Sequence, residues 1–317
     1  MLFNSQRLII IVTESERHRD MGKAVGMVFL LWSMNVFIKA VGLGNSSCSG
    51  VCGSVTIPYP FGIEPGCYIY DSFAIDCKNT TLGYPKPFLR GLDLEVLNIS
   101  LEGTLRVNYP MSRWCPQTKT KRETQRVANM SLASSPYFFS RLRNIYIAMG
   151  CDNLSLLESS DGSFIGGCMS VCEKEKDTKQ TNGRSCDGID CCKTTIPSDL
   201  DAFNVARVLF ANQAPSETSK DCEYTSLVDQ KWFEKNSKNH FKVRKMSHVP
   251  VVLNWEINAD LSILIMGSNS SHSTCQFANG SSLFGNVSST FTCTCHSGFE
   301  GNPYLVDGCQ GKLLALY

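Results

Sequence analysis

Sixteen cysteines, an even number, carry the most chemistry in this 317-residue chain. They are Cys48, Cys52, Cys67, Cys77, Cys115, Cys151, Cys168, Cys172, Cys186, Cys191, Cys192, Cys222, Cys275, Cys293, Cys295 and Cys309. In a reducing compartment such a set holds metal, and Cys168-x3-Cys172 with Cys191-Cys192 is the zinc-like spacing to weigh. In an oxidising compartment the same residues form a disulfide framework. A bridge between the neighbours Cys191 and Cys192 would strain the peptide, so the two should staple one strand to two different places. The remaining connectivity cannot be read from spacing. Each bridge contributes roughly 2–4 kcal/mol.

Two signals choose the oxidising compartment. Residues Ala24 to Ile38 are nearly all apolar, with Lys23 before them and Lys39, Ala40, Gly42 and Gly44 after. That is the charged, apolar and small-residue order of a signal peptide over 1–44, with Met21 as the true start. The run is short of the roughly 20 residues that a spanning helix needs. The chain is therefore expected outside the cell, and attached to membrane only if this segment stays uncleaved. The second signal is eight Asn-x-Ser/Thr sequons, at Asn45, Asn79, Asn98, Asn129, Asn153, Asn269, Asn279 and Asn286. A glycan must sit on the surface, so each sequon predicts a loop or an exposed strand face.

Motifs for catalysis are absent. There is no His-Glu-x-x-His, no Gly-x-Ser-x-Gly and no Cys-His arrangement with thiols to spare. His18-Arg19-Asp20 spells a kinase catalytic triplet, but the Leu and Asn that should follow are missing. Glycine-rich loop, Val-Ala-Ile-Lys and Asp-Phe-Gly are missing too, so the triplet reads as chance. A carboxylate pair for glycoside hydrolysis depends on separation in space, which sequence does not give. Net charge is +1, and −1 without residues 1–42, so no overall basic field points to nucleic acid.

The elements that position these residues read as β. Leu92, Leu94 and Val96 alternate with polar residues, Leu97 breaks the phase, and Ile99 and Leu101 resume it. Leu105, Val107 and Tyr109 follow, so a bulge or turn is expected near Leu97 and Gly103. Val55 to Gly62 should be extended by Pro58 and Pro60. Phe138-Phe139 and Ile145 to Met149 read as strands, and Leu200 to Phe210 as strand or short helix. No long helical period and no internal repeat is present. Lys231 to His248 is a cation-rich connector, either a solvated face or a patch for an acidic ligand. Val249 to Trp255 is an apolar strand that should dock on the main body.

These residues resemble a known family. CSGVCGSVTIPYPFGI from Cys48, then Gly66-Cys67 and FAIDC ending at Cys77, is similar to the galacturonan-binding domain of plant wall-associated receptor kinases. The likeness continues in Gly150-Cys151, Gly167-Cys168, Cys172, CDGIDCC at 186–192, CEYTSLV at 222–228, VPVVLNW at 249–255 and CTCHSGFEGNPYLVDGC at 293–309. It implies a mainly β, disulfide-rich extracellular fold with a small EGF-like C-terminal module. The implied order is a galacturonan-binding domain at 45–112, a wall-associated C-terminal-type region at 113–260 and a partial EGF-like module at 275–310. That module has four of the usual six cysteines, which by analogy pair Cys275 with Cys293 and Cys295 with Cys309. No calcium ligand set precedes it, and neither metal nor cofactor is expected.

The resemblance also implies a location, the cell wall or the outer plasma-membrane face, and a ligand, the pectin homogalacturonan of that wall. Its carboxylates call for Lys and Arg, and its sugar rings for aromatic faces. The candidates are Arg106, Arg113, Lys119, Lys121, Arg122 and Arg126, near Tyr109 and Trp114. Such receptors continue into a membrane span and a kinase, whereas Gln310 to Tyr317 is too short to cross a bilayer. The sequence therefore predicts a galacturonan-binding, receptor-like protein that is a truncated or spliced product without the kinase, and no enzyme. The alternative is a protein-binding partner of receptor-kinase ectodomains, or a decoy. A secreted carbohydrate-active enzyme ranks last.

Overall fold

A computed structural model describes residues 48–80, 83–115, 130–151, 153–159, 161–172, 185–197, 200–208, 222–236, 240–259, 272–279 and 289–312. The strands begin with β1 (Val51–Cys52), β2 (Val55–Thr56), β3 (Ile75–Asn79), β4 (Pro85–Leu89), β5 (Leu94–Ser100), β6 (Thr104–Pro110) and β7 (Ser112–Trp114). Next come β8 (Met130–Ser131), β9 (Tyr137–Phe139), β10 (Asn144–Met149), β11 (Asn153–Glu158), β12 (Phe164–Ser170), β13 (Cys191–Thr195), β14 (Ala202–Val208) and β15 (Glu223–Asp229). Two short helices follow, α1 (Gln230–Asn236) and α2 (His240–Arg244). The chain then forms β16 (His248–Trp255), β17 (Ile257–Asn258), β18 (Ser273–Asn279), β19 (Ser289–Cys295), β20 (Phe299–Gly301) and β21 (Cys309–Gly311).

The largest sheet has the order β3-β4-β5-β6-β16-β9. Its register follows from alternation: Leu94, Val96, Leu105, Val107 and Tyr109 are buried, while Glu95, Arg106 and Asn108 take the opposite face. The register shifts between Val96 and Asn98, where the sequence loses phase, and Gly103 turns the β5–β6 hairpin at φ 85°. β16 pairs with β6 from His248↔Pro110 to Asn254↔Thr104. The apolar strand after the connector thus lies inside the sheet, and the sequence regions 45–112 and 113–260 share one sheet and one core.

The Ile-Pro-Tyr-Pro-Phe-Gly segment is not extended throughout. Strand ends at Thr56, and the Phe61 N–H donates to the Pro58 carbonyl at 2.9 Å, closing a turn. The turn exists to bury Phe61, whose ring meets Trp255 edge-on at 5.4 Å; Phe73 meets the same indole at 5.7 Å. Tyr304 packs on Trp255 at 5.4 Å, and Asn302 donates to the Tyr59 carbonyl at 2.7 Å, so the C-terminal segment closes over the turn.

Two four-stranded sheets, β13-β10-β15-β7 and β12-β11-β14-β8, complete the main body; β17-β19-β18 and β20-β21 form the C-terminal pieces. The ambiguous segment after Leu200 is strand β14, paired with β11. The buried amide of Asn144 donates to the Val252 carbonyl at 2.7 Å and accepts from the Val252 N–H at 2.9 Å, tying β10 to β16. A buried backbone pair satisfied by a side chain in this way avoids a cost of about 1–3 kcal/mol.

The connector departs from the sequence reading, because part of it is helical. Asp229 Oδ1 accepts the Trp232 N–H at 3.2 Å and caps α1, and Phe233 and Val243 anchor the two helices in an apolar cluster with Ile147, Met149 and Val249. Helices this short give no readable period, so tertiary packing decides them.

All sixteen cysteines are paired: 48–67, 52–77, 115–222, 151–172, 168–192, 186–191, 275–293 and 295–309. Cys191 and Cys192 go to different partners because successive side chains on β13 point to opposite faces. The two C-terminal bridges are those the resemblance implied. Cys151, Cys172 and Asp190 lie close enough to suggest a metal site, but both sulfurs are consumed in one disulfide.

Candidate functional site

Of the proposed cation and aromatic cluster, the four described members, Arg106, Tyr109, Arg113 and Trp114, do not form one exposed site. Tyr109 is 0% exposed, with its ring edge-on to Phe139 at 5.5 Å, and Trp114 is 6% exposed. Alternation is the reason: Tyr109 shares the inner face of β6 with Leu105 and Val107, so neither aromatic offers a ring to a sugar. Burial pushes the Tyr109 hydroxyl well above its ordinary pKa. Arg106 points the other way, but its Nε lies 2.9 Å from Asp229 Oδ2. It is a partly exposed cation that holds the residue capping α1. Arg113 is exposed on β7, its guanidinium 5.7 Å from the Tyr224 ring, with no carboxylate partner among the described residues. Lys119, Lys121, Arg122 and Arg126 lie outside the described residues.

The outer face of β3–β6 carries cations that the sequence reading passed over. Lys78 pairs with Asp93, Lys86 with Glu95 at 2.7 Å, and Arg90 with Asp76 at 2.8 Å and with the Tyr68 hydroxyl at 3.2 Å. The Lys78 ammonium stands 4.8 Å over the Phe88 ring, and Tyr84 is largely exposed nearby in sequence. Burial pushes the Glu95 carboxyl up, yet the Lys86 ammonium and Asn108 amide more than offset it and hold it below its ordinary value. These half-exposed pairs are each worth about 0–1 kcal/mol, so a polymer carboxylate can exchange for the protein's own. Their signal was the period-two spacing of Asp76 with Lys78, and of Lys86 with Phe88 and Arg90.

Sequons mark which faces are open. Asn79 and Asn98 are exposed, and Asn98 sits across from Arg106 on the outer face. Asn279 ends β18, while Asn45, Asn129, Asn269 and Asn286 lie outside the described residues. Asn153 breaks the expectation of exposure: it is 1% exposed, its amide donates to the Met149 carbonyl at 3.3 Å, and Ser155 is buried against the Tyr146 hydroxyl.

Two family models match. One, described as wall-associated receptor kinase galacturonan-binding, covers residues 48–109, which hold the Phe61 turn and strands β1–β6. The other, described as wall-associated kinase, covers residues 183–263, from the Cys186–Cys191 bridge through both helices to β17. The chain is a homologue of the wall-associated receptor kinase ectodomains. Wall-associated receptor kinase 5 of Arabidopsis thaliana is 31% identical over 278 residues, 84% of this chain and 34% of that protein. Wall-associated receptor kinase 2 is 30% identical over 275 residues, 85% and 35%, and wall-associated receptor kinase 4 is 32% identical over 278 residues, 83% and 34%. The chain thus spans about a third of the length of these curated wall-associated kinases, and both family models fall in their ectodomain region. No solved structure matches the chain significantly. Wall-associated relatives and eight disulfides fit an extracellular or cell-wall location, and no helix among the described residues is long and apolar enough to cross a membrane.

Proposed function

We propose that this chain is a secreted, wall-located binder of pectic galacturonan. The galacturonan-binding family match over residues 48–109 carries the reading. The chemistry supports it: a polymer of uronate carboxylates needs cations that can trade partners, and Lys78, Lys86 and Arg90 stand on that segment in exchangeable pairs. Arg113, exposed just after it, adds a cation without a carboxylate to displace. The kinase activity of the named relatives needs residues that these 317 do not include in any matched model.

The test is retention on immobilised polygalacturonate across a salt series, with fully methyl-esterified pectin as the uncharged control. Binding should weaken as salt rises, because exposed pairs are screened within about 10 Å at 0.1 M. Absence of binding at low salt, or equal retention on the esterified polymer, overturns the reading.

One observation favours a second reading, a protein partner such as a receptor-kinase ectodomain. The edge strand β12 and its neighbourhood expose Phe164, at 63%, together with Met169, Val171 and Ile189. An exposed apolar edge of this kind marks interaction surfaces. Titration with the ectodomain of wall-associated receptor kinase 5, comparing wild type with Phe164→Ser/Met169→Ser, separates the readings: an affinity lost in the variant supports a protein site, and no complex with wild type removes it.

A further inference from the structure

We infer that the α1–α2 hairpin is a second docking surface for acidic polysaccharide, distinct from residues 48–109; the choice of ligand rests on the galacturonan reading above. The first ground is charge segregation. Residues 230–248 hold six Lys/Arg and one carboxylate, Glu234, for a net +5 in a chain of net +1, so everything else together is −4. A local field of one sign concentrates ligands of the other.

The second ground is that the surface is held rigid. Phe233 and Val243 are buried at 1% and 0%, the Asp229 cap fixes the start of α1, and Nη2 of Arg244 donates to the Asp190 carbonyl at 2.6 Å, pinning the end of α2. Lys231 and Lys235 are one helical turn apart on the same side of α1, and Lys242 and Lys245 stand three residues apart; all four are exposed. Trp232, beside Lys231 in the chain, is partly exposed but packs against the same apolar cluster, so the cations carry the surface.

The third ground is contrast with the β3–β6 face. There Lys78, Lys86, Arg90 and Arg106 each have a carboxylate, and the Asn98 sequon stands across from Arg106. On the hairpin, Lys231, Lys235 and Lys245 have no ion pair among the described residues, and no sequon falls between Asn153 and Asn269. Exposed cations without an ion pair, as at Lys231, Lys235 and Lys245, suit a ligand that offers consecutive carboxylates, which is what an unesterified uronate stretch presents. The hairpin lies within the wall-associated kinase match, outside the galacturonan-binding one.

The experiment compares the whole chain with two variants of equal charge loss on immobilised polygalacturonate. One is Lys231→Gln/Lys235→Gln/Lys242→Gln/Lys245→Gln; the other is Lys174→Gln/Lys176→Gln/Lys193→Gln/Lys312→Gln, which leaves the cations of residues 48–109 in place. Circular dichroism and thermal melts confirm that each is folded. The hairpin variant should lose about tenfold or more in affinity at low salt and show a flatter dependence of log affinity on log salt, since fewer counterions are released. The control variant should lose less and keep more of the slope. Wild-type affinity and slope in the hairpin variant, or equal losses in both, overturns the inference while leaving the galacturonan reading intact. No binding by wild type sinks that reading and this ligand with it.

Discussion

Arg106 and Asp229 form an ion pair across 2.9 Å that joins β6 to the start of α1, because the other oxygen of Asp229 caps the helix. The side chains are 34% and 9% exposed, so this pair is better shielded than those on the outer face. Asp229→Ala should cost about 2 kcal/mol, a lost cap plus a lost charge partner, read as a lower midpoint in denaturant. Arg106→Gln should also destabilise. Below its melting temperature it should still bind polygalacturonate directly through other cations; a folded Arg106→Gln chain with no binding would return Arg106 to the ligand site.

The Tyr109 hydroxyl is buried with no hydrogen-bond partner among the described residues. Tyr109→Phe removes an unsatisfied polar group and keeps the ring contact with Phe139, so stability should rise by up to about 1 kcal/mol. Tyr109→Ala opens a cavity and should cost about 3–5 kcal/mol. A thermal melt in which the Phe variant is the less stable would show that the hydroxyl has a partner.

Glycopeptide mapping of the secreted protein should find Asn79 and Asn98 modified and Asn153 bare. The Asn153 and Ser155 side chains are packed inside, and a glycan there cannot coexist with β11 in this arrangement. Full occupancy at Asn153 in protein with all eight disulfides closed would contradict the packing.

Glu95 carries a pH signature. Its folded pKa is depressed, so its interactions stabilise the protein above the ordinary value of 4.5 and are lost as pH falls through the lower folded value. Wild type should therefore melt above Glu95→Gln at pH 6, and the gap should close as pH is taken below 4.5. A gap unchanged from pH 6 to the acid limit would mean that Glu95 contributes through packing alone.

Residue type and spacing in the sequence alone determined the disulfide-rich β character, the phase break at Leu97, the divergence of Cys191 from Cys192, and the family likeness. These are local properties: alternation, a strained vicinal bridge and a motif string all survive without knowing what packs on what. Tertiary structure decided the rest. Whether Tyr109 and Trp114 face solvent or core depends on partners distant in the chain: Phe203 of β14 packs on the Tyr109 ring at 6.0 Å, and β15 pairs with Trp114 through Glu223. Whether Arg106 awaits a ligand or holds Asp229 depends on β15 bringing Asp229 to it, and the Asn153 sequon is buried on β11, which pairs with β12 and β14. The cation-rich connector was visible as a charge run, but its helices were not. A helix of five or seven residues forms because Phe233 and Val243 find a core to enter, and that core is assembled from strands distant in the chain.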